Sequence, residues 1–470
     1  MNSTLHSATQ KSMHEVAAAY VATQAAPGVA VCLVRDRSVA SQFYAGFADI
    51  ERAEEVSAGH RYEIGSISKS FTSLVVLTLV DEGVIALSDT VQQHLPWFEV
   101  QSDYEPITLR HLLDHSSGLI MGSDSWPDEA AQVWALRSSS TGSAPGTIFH
   151  YSNVGFMTLG AVVEAVTGRT CTDLMRERVV EVVGMPDTIT TITDNDRHTM
   201  AVGYQPRHED RAWCPGDPLA PATWFEVSAA DGNVASTAAD MGRYLAMLLG
   251  RGQVDGRRVI SEGAFTSMIT PTSPGGEPAP GPSQYALGIN VEQISDRTCI
   301  THGGGMVGYS TFLIGDLELG CGVIVLTNAP GDSPGAQWLA RALFDALCAD
   351  SQGSPLPVAP AYVPPPRPVL PEGNDGSVSG DLAAYVGHYR SFNPWFSHLR
   401  IAAVDGRLVL VAPNGVEAPG IVDLVEISPG VFREGTDPRL PERLYMGPVV
   451  EGRALWVARH DCRYSRTFRP

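Results

Sequence analysis

Ile64-Gly65-Ser66-Ile67-Ser68-Lys69-Ser70-Phe71-Thr72 runs into apolar residues at helical spacing, among them Leu74, Val75, Leu77 and Leu79. The spacing predicts a helix over 66–81 opened by Ser66, with Lys69 three residues on and on the same side. A helix N-terminus carries unpaired backbone N–H groups that favour a developing anion. A serine hydroxyl needs a base before it attacks a carbonyl. A desolvated lysine can lose its proton and serve, whereas an arginine stays protonated. The plain alternative is a helix-capping serine beside an unrelated lysine, and S-x-x-K alone does not separate the two. Composition weighs on the choice. Of the 32 basic residues only Lys11 and Lys69 are lysines. Coding bias towards Ala, Gly, Arg and Val explains that skew, and a lysine at 69 stands against it.

Further along, Phe149-His150-Tyr151-Ser152-Asn153-Val154-Gly155 leads into a helix-like stretch over 156–167. From a turn, Tyr151 and Asn153 can point into one cleft. The phenol can relay a proton, and the amide can position Lys69 and hold a substrate carbonyl. By itself Y-x-N reads equally as a tyrosine packed at a helix start. The third stretch is Thr301-His302-Gly303-Gly304-Gly305-Met306-Val307-Gly308. Its glycines let a substrate backbone approach a strand edge and leave N–H groups for an oxyanion. Gly303, Gly305 and Gly308 also match G-x-G-x-x-G, but a strand follows, where a dinucleotide site needs a helix. The His302-Gly-Gly-Gly run is similar to the oxyanion loop of α/β-hydrolases, yet the G-x-S-x-G elbow of that fold is absent.

Taken in order, Ser66/Lys69, Tyr151/Asn153 and His302-Gly303-Gly304 resemble the serine β-lactamase and penicillin-binding-protein superfamily. The likeness is to its class C-like branch of D-alanyl-D-alanine carboxypeptidases, D-aminopeptidases, esterases and transacylases. It runs from about Val29 to Leu347. It includes Ile107-Thr108-Leu109-Arg110-His111-Leu112-Leu113-Asp114-His115-Ser116-Ser117-Gly118-Leu119 and the segment from Ala230-Asp231-Gly232-Asn233 to Met241. The resemblance implies Ser66 as nucleophile, Lys69 as its activating partner, Tyr151 as proton exchanger and Asn153 as orienter. It implies an oxyanion hole from the N–H groups of Ser66 and Gly305, with His302, Gly303 and Gly304 beside the substrate. No cofactor or metal is implied. His302 stands where β-lactamases of this branch carry lysine, which puts efficient β-lactam breakdown in doubt. A His there can still steer a carboxylate.

The expected fold is α+β: an antiparallel sheet flanked by helices with an all-helical region, followed by a small antiparallel β-barrel. Strands are predicted at 29–34 and 39–47, and at 311–314 and 322–326, with helices over 237–249 and 337–349. Between Pro355 and Pro371 eight prolines fall in 17 residues, a stiff extended connector. The expected units are a catalytic domain over 1–352, a linker over 353–375 and a lipocalin-like barrel over 376–470. Within the last, Asp405-Gly406 between two apolar runs signals a hairpin. Further strands are expected over 422–427, 431–433, 443–450 and 454–459.

The formal charge of −20 with only 18% charged residues argues against nucleic-acid and anionic-membrane partners, which need clustered Lys and Arg. No run of 18 apolar residues occurs, and the N-terminal segment lacks a signal-peptide core. Seven scattered cysteines without C-x-x-C fit a reducing compartment, so the chain reads as cytoplasmic. His111 and His115 have i,i+4 spacing without the Glu of H-E-x-x-H and read as structural. Trp126, Trp134, Trp213 and Trp224 either wall a cleft or pack loops. Arg463, Arg466 and Arg469 form a solvated terminus or, if the barrel leans over the cleft, a carboxylate site.

The functional expectation is acyl transfer through a Ser66 acyl-enzyme, hydrolysing a peptide, amide or ester, with a small molecule or peptide as substrate. One alternative is a transacylase or peptide cyclase of the penicillin-binding-protein-type thioesterase kind, taking a carrier-protein-bound thioester in natural-product biosynthesis. Another is a non-catalytic binding protein on the same fold.

Overall fold

The computed structural model describes residues 5–122, 128–273, 283–294, 297–330, 334–414 and 420–467. Its central feature is an antiparallel sheet built from both ends of the first 350 residues. In chain order the strands are β1 (Gly28–Arg35), β2 (Ser38–Asp49), β3 (Glu54–Glu55), β4 (Ser283–Tyr285), β5 (Asn290–Ile294), β6 (Arg297–Met306), β7 (Tyr309–Asp316) and β8 (Cys321–Thr327). They lie in the order β4-β5-β6-β7-β8-β1-β2-β3. The turn between β1 and β2 places Asp36 and Arg37 both at positive φ, the backbone that matches the strand twist in a two-residue hairpin.

β1 shows why this sheet is a middle layer. Its successive side chains point to opposite faces. Val29, Val31 and Leu33 pack with α1 (Ser7–Ala22) and a C-terminal helix over Pro334–Ser351, through Met13, Ala17, Tyr20, Leu339 and Phe344. Ala30, Cys32 and Val34 join the other core, with α2 (Ser68–Asp81), α3 (Asn153–Thr167) and α4 (Ala238–Leu249). A strand apolar on both faces needs helices on both sides, and the chain supplies them.

After Ser351 no helix or strand forms until Gly380–Tyr385. Eight strands then close into an antiparallel barrel: Gly387–Arg390, His398–Val404, Arg407–Ala412, Gly420–Ser428, Val431–Glu434, Arg443–Met446, Trp456–Arg459 and Cys462–Arg466. Inward residues such as Tyr389, Ile401, Leu410, Phe432 and Tyr464 fill it. Two expected strands are divided. The one over 443–450 breaks after Met446, because Gly447 and Pro448 redirect the chain into a side hairpin of Val449–Val450 with Arg453–Ala454. The one over 454–459 is interrupted at Leu455 for the same reason. The first and last barrel strands, absent from the sequence expectation, pair with each other to close it.

Candidate active site

Ser66 sits in a single 3-10 turn, Gly65–Ile67, immediately ahead of α2. This differs from the expected α-helical start, and it tightens the spacing, since residues three apart eclipse in a 3-10 turn. Lys69 is fully buried and its Nζ donates to Ser66 Oγ at 3.1 Å and to the Asp231 carbonyl at 2.8 Å. The same nitrogen lies 5.0 Å from the Tyr151 ring centroid and 5.7 Å from that of Phe156. Neighbouring hydroxyls pin α2 in place. Ser68 Oγ accepts the Val234 N–H at 3.1 Å, Ser70 Oγ meets Tyr244 OH at 2.6 Å, and Thr72 Oγ1 donates to the Ala230 carbonyl. The polar face of this buried helix is therefore satisfied.

Tyr151 and Asn153 stand at the entry to α3, where Ser152 caps the helix by accepting the Gly155 N–H at 3.1 Å. Asn153 Oδ1 is buried and takes no hydrogen bond among the described residues. The acceptor found for Lys69 is thus the Asp231 carbonyl. His115 was expected to be structural, and its place is specific. Its Nδ1 accepts the Ser152 N–H at 3.0 Å, and its ring lies 4.1 Å from the Tyr151 ring, centroid to centroid. Burial, then the nearby Lys69 charge, keeps this imidazole well below its ordinary pKa, hence neutral. His111 Nδ1 instead accepts the Thr108 N–H at 3.2 Å in a helix cap.

The glycine run lies within β6, and its position on that strand matters. β5 pairs with β6 only over Arg297–Thr301, so from His302 onward the recorded ladder is on the β7 side alone. There β6 meets the Ser66 turn. A Cβ on Gly304 would lie 1.9 Å from the Ile64 carbonyl oxygen, and one on Gly65 would lie 2.8 Å from Gly305 N. The backbones of Ser66's turn and Gly305 are in direct contact, which side chains at these glycines would prevent. His302 Nδ1 donates to the Gly303 carbonyl at 2.6 Å, so its Nε2 accepts from Tyr285 OH at 3.0 Å. Burial, reinforced by Lys69 and only partly offset by that carbonyl, pushes its pKa down to about 4. His302 is a neutral hydrogen-bonding group here.

The structure thus brings Ser66 and Tyr151 together around the buried Lys69 nitrogen and sets Gly303–Gly305 against the Ser66 turn. Sequence reasoning missed Tyr285, the Asp231 carbonyl and the contact between His115 and Tyr151. Asp231 was within a recognised segment, but a backbone acceptor leaves no side-chain signature. Of the tryptophans, Trp134 is exposed under the Arg137 guanidinium, Trp224 packs against Arg197, and Trp126 lies outside the described residues. Trp213 lines a cavity of about 980 Å³ between the sheet domain and the barrel, together with Val307, Phe392 and Trp395. Arg463 lies over the Trp456 ring, while Arg466 donates to the Ala384 and Val386 carbonyls and is structural. Arg469 is outside the described residues. No helix among them is long and apolar enough to cross a membrane.

The sequence model described as Beta-lactamase matches residues 13–347. Among curated proteins, the D-aminopeptidase of Brucella anthropi is 28% identical over 298 residues, 60% of this chain and 52% of that protein. Protein flp of Staphylococcus aureus (strain N315) is 28% identical over 188 residues, covering 38% of each chain. The chain therefore spans from under two fifths to about half the length of these relatives. Among solved structures, the octameric penicillin-binding protein homologue from Pyrococcus abyssi superposes with a TM-score of 0.62 at 21% identity, covering 97% of this chain and 99% of that one. The D-amino acid amidase from Ochrobactrum anthropi SV3, complexed with D-phenylalanine, gives 0.61 at 21%, covering 74% and 99%. These structural likenesses are of fold.

Proposed function

We propose, because this chain belongs to the β-lactamase family, that it is a serine acyl-transfer enzyme hydrolysing a peptide, amide or ester through a Ser66 acyl-enzyme. The observation that carries the reading is the wholly buried Lys69 with its Nζ 3.1 Å from Ser66 Oγ. As Ser66 Oγ attacks the carbonyl carbon, its proton passes to Lys69, which acts as its base. The oxyanion is held by the N–H groups of Ser66 and Gly305. Collapse breaks the acyl bond, and the leaving amine or alkoxide takes a proton through Tyr151. Water then repeats the sequence on the acyl-enzyme, and the acid is released with Ser66 reprotonated. Asn153, whose buried Oδ1 has no hydrogen bond among the described residues, is read as accepting a substrate N–H. The catalytic unit is read as 1–352, joined by 353–375 to the barrel over 376–470.

The substrate class follows from His302. A neutral imidazole offers no cation for the carboxylate of a β-lactam, so an amide or peptide is the better fit. The relatives point the same way, since one is a D-aminopeptidase and another a D-amino acid amidase. The test is covalent. A fluorophosphonate should label the protein once, at Ser66, and Ser66→Ala should abolish both label and turnover of D-phenylalanine amide. Labelling that persists in the variant overturns the assignment.

A further inference from the structure

One barrel side chain reaches the turns that present Tyr151 and Asn153. Glu442 lies just ahead of the barrel strand Arg443–Met446 and is 5% exposed. Its Oε1 accepts the Met121 N–H at 3.0 Å and lies 2.8 Å from His150 Nε2. One partner flanks Tyr151 in the chain, and the other holds the first turn of α3. His150 immediately precedes Tyr151, and its own N–H donates to the His115 carbonyl at 2.7 Å. Met121's carbonyl accepts the N–H of Asn153 at 2.7 Å and of Val154 at 3.1 Å, the first turn of α3. One carboxylate oxygen thereby ties together the two backbone segments that present Tyr151 and Asn153.

The docking of this loop is close. At Gly142 a Cβ would lie 2.1 Å from the Arg439 carbonyl oxygen, so the barrel loop rests on bare backbone. Burial by itself would raise the Glu442 pKa, but His150, and behind it the Arg459 guanidinium, bring it down to about 2, so the group is an anion. A buried charge is a costly way to glue two domains, because apolar contact of equal area holds without desolvating an ion. What it offers instead is direction. Without it the Met121 N–H loses its acceptor and the His150 ring loses the carboxylate that joins it to Met121.

We infer that Glu442 of the barrel is a positioning residue that holds the Tyr151–Asn153 limb in register with Ser66, so that the catalytic arrangement is completed by docking of the second domain. This rests on the acyl-transfer reading above. A misplaced phenol should matter most where the leaving group needs a proton.

The experiment uses the full chain with two donors of one acyl group, the p-nitroanilide and the p-nitrophenyl ester of D-phenylalanine. The anilide must be protonated to leave and the ester's phenolate need not be. Glu442→Ala is expected to lower kcat on the anilide by about 30-fold or more while the ester falls less than about 3-fold, within the usual reach of general acid catalysis. Tyr151→Phe should show the same selectivity more strongly. Glu442→Gln, which keeps an acceptor for the Met121 N–H, should recover part of the loss and carries the test if the alanine variant does not fold. Equal losses on both donors, or none, in a folded Glu442 variant while Tyr151→Phe stays selective overturn this inference alone. If Tyr151→Phe is itself unselective, or Ser66→Ala stays active, the acyl-transfer reading falls and this inference with it.

Discussion

The Ser66–Lys69 limb of the site and the Tyr151–Asn153 limb are secured in different ways. The first belongs to a helix buried along nearly its whole length, with Ser68, Ser70 and Thr72 bonded to the 230–244 segment and Lys69 closed off from solvent. Every one of those partners lies in the sheet domain. The second limb is half-buried, and its supports come from His115 on one side and from Glu442, on the barrel, on the other. On the acyl-transfer reading a serine and its base must meet within a hydrogen bond, and the geometry of Ser66 and Lys69 is built into the core. On the same reading a proton relay at Tyr151 tolerates being supplied from the rim, which leaves it open to control by whatever docks there.

The sharpest way to break this contrast is at Lys69. Lys69→Arg keeps the charge but removes the group that can act as a base. The rate of fluorophosphonate labelling should fall by about a thousandfold or more, measured by mass spectrometry over time. A variant that labels at near the native rate would show that Lys69 only fills space.

The next effect is on stability and separates the two limbs. Gly304→Ala places a methyl 1.9 Å from the Ile64 carbonyl and 2.4 Å from Thr311 Oγ1, against backbone that cannot yield. A loss of about 3 kcal/mol is expected from such overpacking. Gly122→Ala, beside the tyrosine limb, meets only Asn153 Cβ at 3.9 Å and should leave the chemical-denaturation midpoint nearly unchanged. Equal midpoints for the two variants would erase the distinction.

The smallest effect is in pH. His302 is held down to about 4 by burial and by Lys69, against an ordinary value of 6.5. Between these values the unfolded chain binds a proton that the folded chain refuses, so stability falls as pH drops from 6.5 towards 4 and is insensitive to this group above 6.5. His302→Gln should therefore flatten part of the fall in Tm across that window. The buried His115 and His460 are depressed in the same sense and should preserve the remainder. An unchanged profile in the variant would mean that His302 titrates normally.

Much of this molecule can be read from residue order, and the exceptions are instructive. The hairpin at Asp405-Gly406, with both residues at positive φ, is a local signal that survives folding unaltered. So is the proline run that precedes the barrel. The closing strands Gly387–Arg390 and Cys462–Arg466 are not, because both are short and they close the barrel by pairing with each other from opposite ends of its sequence. The same division runs through the site. Serine and lysine three apart must be neighbours within one turn, and the scarcity of lysine made that pair conspicuous. Nothing in the order of residues marks the Asp231 carbonyl as the second acceptor for Lys69, Tyr285 as donor to His302, or Glu442 as the brace of the tyrosine turn. Short-range spacing determines which groups share a turn, since backbone geometry is local. Which groups share a cavity was decided only when the core and the barrel packed, because burial and long-range approach depend on the whole chain closing at once.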